Sequence, residues 1–193
     1  MPRRKHERYD DVAGPVISAR PSISVLDLFF HTSVTRSRGL HEAVVRETRR
    51  SNPVAAFTLI RSWAELAATI CYVTDRPDYI EVLTERKENL GRKGGRKSMQ
   101  ALIAHASARM PGLRAVYSEL SETAHFGALA FWSAFRPGSD ESREIQWTSY
   151  PQWRSDDEAL LACAWAIELS EATFHLLSEF AARHLPPPEM DPE

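Results

Sequence analysis

The alternation of apolar and polar positions divides the chain into helical stretches with one interruption. Up to Pro21, charges, Gly and Pro follow no period, so residues 1–21 read as a mobile basic arm. From Ser22 a helical spacing sets in, with Leu26, Phe30, Ser33, Ser37, Leu40 and Val44 on one side. Gly39 lies inside this stretch and costs about 1 kcal/mol against Ala, so one bent helix and two short ones both fit. Asn52-Pro53 then combines a capping residue with one suited to a first helical turn. Val54 to Thr74 follows with two apolar stripes, Phe57, Ala64, Ala68 and Cys71 on one and Leu59, Trp63, Leu66, Ile70 and Val73 on the other. Two stripes predict a central helix packed on two sides. Beyond Asp75-Arg76-Pro77 a short helical stretch spans residues 78–84.

A basic, Gly-containing loop from Glu85 to Lys97 leads to Ser98, the expected N-cap of a helix through Met110, which Pro111-Gly112 closes. The next helix runs from Leu113 to Phe126, with Gly127 where a helix C-terminus favours Gly. There the period shifts to two. Leu129 to Phe135 and Glu144 to Tyr150 flank the turn-forming Arg136-Pro137-Gly138-Ser139-Asp140, which predicts a β-hairpin over about residues 128–151. Ser155-Asp156-Asp157-Glu158 has the capping-box pattern and opens a final helix to about His184. The expected fold is mainly all-α: a four- to five-helix up-down bundle over residues 22–185, a β-hairpin inserted before the long final helix, and a Pro-rich acidic tail at 186–193.

Composition narrows the class. The 193 residues, 43% apolar and 26% charged, suit one domain with a proper core. Cys71 and Cys163 both fall in apolar helical patterns and read as buried thiols, with no disulfide framework or zinc spacing. The N-terminus lacks a signal-like apolar region, and the apolar run Ala159 to Ile167 falls well short of the ~18 residues of a membrane span. A cytoplasmic protein with no membrane association is expected. The formal charge of −2 conceals +8 over residues 1–114 and −10 over 115–193. Such asymmetry suits a basic face for an anionic partner, or halves that attract within one fold or across a dimer.

Chemistry concentrates on the helix after Gly112. At 100° per residue, Arg114, Ser118, Ser121 and His125 share one face, beside a core stripe of Leu113, Val116, Leu120 and Ala124, with Tyr117 on the border. A neutral imidazole beside hydroxyls and a cation suits general acid–base work without a metal. The competing reading is structural, with His125 favourable against the helix dipole and Ser121 bonding back to a carbonyl. Glu122-x-x-His125 has di-iron ligand spacing, but that chemistry needs the motif twice and two further Glu, so no metal and no cofactor are expected.

Tyr117, Leu120, Ser121 and His125, in the order Tyr-x-x-Leu-Ser-x-x-x-His before a Gly, a hairpin and a long final helix, resemble a group of bacterial helical-bundle proteins near the HEPN superfamily. The resemblance implies an all-α homodimer and, as often in that superfamily, a metal-independent ribonuclease of toxin or abortive-infection type. The HEPN ribonuclease pattern of Arg, four to six residues, then His is not met at His125, because ten residues intervene between Arg114 and His125. Arg36 and His41 have the spacing, which a chain with 20 Arg and seven His meets by chance.

The expectation is therefore a protein that binds or cleaves RNA or binds a nucleotide. His125 would be general base or acid, Ser121 and Tyr117 its polar partners, and Arg114 the phosphate ligand. Arg92, Lys93, Arg96 and Lys97 in the basic loop would hold a nucleic-acid backbone, against the alternative of a solvated loop. The competing class is a dimeric, non-enzymatic interaction or scaffold protein using the hairpin aromatics and the acidic final helix. Leu129, Phe131, Phe135, Ile145 and Trp147 are expected to face the core, leaving Trp132 and Tyr150 outward.

Overall fold

The computed structural model describes residues 7–18, 23–85, 95–125, 134–137 and 145–185, and the chain is mostly helical. In chain order the elements are α1 (Glu7–Ser18), α2 (Val25–Arg49), α3 (Pro53–Asp75), α4 (Tyr79–Thr84), α5 (Met99–Ala106), α6 (Leu113–Ala124), β1 (Phe135–Pro137), β2 (Ile145–Trp147) and α7 (Asp156–His184).

α3 is the central element, packed against α2, α5, α6 and α7. Its two apolar stripes account for this: Ile60, Trp63, Ala64, Ala67, Ala68, Ile70, Cys71 and Val73 are all buried, and the alanines let neighbouring helices approach closely. Asn52 caps it, its side-chain oxygen accepting the Ala55 N–H at 3.2 Å, with Pro53 at the first helical position. By length and composition alone α3 and α7 could each cross a membrane, yet 50% and 39% of their apolar windows are buried inside the protein.

α2 is one continuous helix through Gly39. It starts in a capping box, Ser24 Oγ accepting the Asp27 N–H while Asp27 Oδ2 accepts the Ser24 N–H at 2.7 Å. At the start of α7, Ser155 Oγ accepts the Glu158 N–H, but Glu158 Oε2 accepts from Arg154 N–H instead of Ser155, so the reciprocal bond shifts one residue outward. Phe30 and Phe180 stack across α2 and α7 with ring centroids 6.2 Å apart.

Several expectations need correction. Residues 1–21 are not all arm, since α1 lies within them and buries Tyr9 to 2%, together with Ala13 and Val16, against α2 and α7. The i, i+4, i+7 spacing of those three residues was obscured by Gly14 and Pro15, the latter inside the helix, where it has no N–H to donate. α5 ends at Ala106, with turns continuing to Met110, and α6 ends at Ala124, with His125 as its C-cap. Cys163 is exposed while Cys71 is buried, because α7 is apolar on a wider arc than its neighbours cover. Ile145 and Trp147 do not face the core: they are 65% and 69% exposed, and Gln146 between them is exposed too, so β2 lays neither face on the helices.

β1 and β2 pair antiparallel with Phe135 opposite Trp147 and Pro137 opposite Ile145. Arg136 and Pro137, expected in the turn, belong to β1, and Gly138, Ser139 and Asp140 lie outside the described residues, as do Leu129, Phe131, Trp132 and Gly127.

Candidate functional site

The residues singled out on α6 meet α3 along a polar seam. Arg61 and Glu65 stand one helical turn apart on α3, and their ion pair spans 3.2 Å. The Tyr117 hydroxyl reaches across from α6, donating to Glu65 Oε1 at 3.0 Å and accepting from Arg61 Nη2 at 3.3 Å. The Arg61 guanidinium carbon also lies 5.5 Å from the Tyr117 ring centroid, within cation–π range. Arg61 Nε is buried and has no partner among the described residues. Sequence reasoning overlooked Arg61 and Glu65, although the signal existed: apart from Asp75 at the very end, they are the charged residues of an otherwise apolar helix, at ion-pair spacing.

The remainder of the expected set does not converge on Tyr117. Ser121 Oγ donates to the Tyr117 carbonyl at 2.7 Å, the structural back-bond weighed for it above. The His125 backbone N–H closes α6 on the Ser121 carbonyl, while its side chain is exposed. Arg114 and Ser118 are exposed too, and among the described residues none of these three side chains has a hydrogen-bond partner. The seam thus holds a phenol between a carboxylate and a guanidinium, and the imidazole stands apart from it at the helix end.

Of the basic loop, Arg92 and Lys93 lie outside the described residues. Arg96 Nη2 donates to the Leu83 carbonyl at 2.9 Å and the Lys97 backbone N–H to the Tyr79 hydroxyl at 2.9 Å, so both residues tie the loop's end to α4. Ser98 caps α5 as expected, accepting the Ala101 N–H at 3.2 Å.

No family model, curated protein or solved structure matches the chain. Geometry alone therefore ranks the sites.

A second polar cluster joins the ends of α3, α5 and α7. Asp75 Oδ2 contacts His105 Nε2 at 2.9 Å, and Asp75 Oδ1 faces Arg109 at 3.5 Å and Arg183 at 3.4 Å. Both arginines also pair with Glu179. Cys71 lies with Asp75 and His105 in a group whose donor atoms are within 4.8 Å of one another, a possible metal-ligand triplet by type. Two guanidiniums already occupy its carboxylate side, and burial pushes the Cys71 thiol above its ordinary value, with Arg109 only partly opposing. A neutral thiol beside a compensated carboxylate is a structural junction, not a vacant cation site.

The third feature is apolar. Ile145, Trp147 and Tyr150 project into solvent, Tyr150 at 76% exposure. Trp153 turns inward, its Nε1 donating to the Thr48 carbonyl at 3.3 Å and its ring meeting Phe57 edge-on. Between the α2–α3 turn and the segment after β2 lies an open trough of about 730 Å³ lined by Glu47, Asn52, Val54, Thr148 and Pro151.

Proposed function

We propose that the protein is a cytoplasmic, HEPN-like up-down helical bundle with a hairpin before its final helix, acting as a dimeric, non-enzymatic interaction protein. The observation that carries this reading is the exposed apolar surface of Ile145, Trp147 and Tyr150 beside the trough. Clustered exposed aromatics mark interaction surfaces, where their burial on association is favourable. The failure of His125, Ser121 and Arg114 to gather around Tyr117 weighs against catalysis on α6. Sedimentation velocity over a concentration series tests it: the wild type should sediment as a dimer, and Trp147→Ala with Tyr150→Ala should shift it to monomer. A wild type that stays monomeric throughout, or a variant that dimerises equally well, would remove the reading.

A second reading, RNA binding or cleavage, draws support from the open polar face of Arg114, Ser118 and His125 on α6. Incubation of mixed RNA with wild type and His125→Ala checks cleavage. Retention of RNA at two salt concentrations, with and without Arg92, Lys93, Arg96 and Lys97 changed to Ala, checks backbone binding. Intact RNA and no retention by the wild type would exclude it.

A further inference from the structure

A cavity of about 350 Å³ opens between α2, α3 and α7, apart from both the strands and the α3–α6 seam. That volume is at the small end of the ~300–1,000 Å³ usual for small-molecule sites. Val44 and Val45 of α2 and Ala166 and Ile167 of α7 make its walls apolar. Trp63 of α3 also lines it, with the His41 ring tilted against the indole at 5.5 Å.

The polar residues of the lining set the ligand chemistry. Trp63 is only 1% exposed, and its indole N–H has no partner among the described residues. Thr48, also in the lining, has a buried Oγ1 that is equally without a partner among them. Both atoms are sealed from solvent, so neither reaches a molecule in the open cavity. Arg49, the one Arg or Lys in the lining, is exposed and makes no ion pair among the described residues, while the His41 and Ser170 side chains of the lining meet each other at 3.5 Å. The lining contains no acid. Apolar walls with a single guanidinium and few other polar side chains suit an apolar body with one carboxylate rather than sugars or polyphosphates, which need many polar partners.

We propose that this cavity binds a small apolar monocarboxylate, a short fatty or aryl-alkyl acid, with its carbon body against Val44, Trp63 and Ile167 and its carboxylate on Arg49. The claim is independent of the dimer and RNA readings and would survive the loss of either.

The cavity carries its own reporter. Cys163 lines it and is exposed, whereas Cys71 is buried, so in the native protein Cys163 is the thiol open to a disulfide reagent such as DTNB. Octanoate and phenylacetate should slow that reaction saturably, about tenfold at ten times Kd, as mass action requires. Octan-1-ol, which keeps the body and loses the charge, should protect less. Ile167→Trp should fill the space and abolish protection, and Arg49→Met should remove the preference of octanoate over octan-1-ol. In Cys163→Ser, octanoate should still raise the melting temperature, which separates occupancy from thiol chemistry. Absence of protection and of any melting shift with both acids would overturn the site. Equal protection by octan-1-ol and octanoate on the wild type would overturn the carboxylate assignment without relying on any variant.

Discussion

Tyr117 shows how one side chain is redirected by its neighbours. On its own helix it sits at the border of core and polar face, and only α3 decides that its hydroxyl is spent between Glu65 and Arg61. Tyr117→Phe should cost about 1 kcal/mol in denaturant unfolding, the net worth of a hydrogen bond whose partners stay paired with each other. Ser121→Ala, which removes only a back-bond to the same helix, should stay within about 0.5 kcal/mol. Cys71 gives a pH signature at the same scale. Burial raises its folded pKa, so the native state keeps its proton where the unfolded chain, titrating near ~8.5, loses it. Below that range the group adds no pH dependence. As pH rises through it toward the folded value, stability falls, and Cys71→Ala should flatten that decline when unfolding midpoints at neutral and alkaline pH are compared.

Among the elements, α2 and α6 bring out opposite uses of glycine. Gly39 lies in mid-helix, and a Cβ built there meets nothing within 4 Å. Gly39→Ala should therefore stabilise by roughly 0.5–1 kcal/mol, read as a rise in melting temperature. Gly112, the N-cap of α6, has φ +88°, and Gly112→Ala should destabilise by about 1–2 kcal/mol although the space is equally open. The chain's own signals placed α3, the start of α5 and α7 well, because Asn52-Pro53, Ser98 and Ser155 act through bonds only three residues long. α1 was missed because its burial depends on α2 and α7, which a local window around Gly14 and Pro15 does not contain.

For the molecule as a whole, the Asp75 junction fastens α3 to α5 and α7 far along the chain. Asp75→Asn leaves Arg109 and Arg183 on Glu179 alone and should lower unfolding stability by about 1–2 kcal/mol, less at high salt because the group is partly open to solvent. The charge split between the chain's halves finds one physical outlet here, as Arg109 from the basic half meets Glu179 from the acidic one. The mostly helical class, the starts of α3, α5 and α7 and the central place of α3 were determined by the sequence itself, since apolar period and capping are short-range properties of the chain. Which polar residues meet was decided only by the tertiary structure. The seam of Arg61, Glu65 and Tyr117, the outward side of Ile145 and Trp147, and the cavity beneath Arg49 each depend on helices separated in sequence, whose relative placement no local pattern encodes.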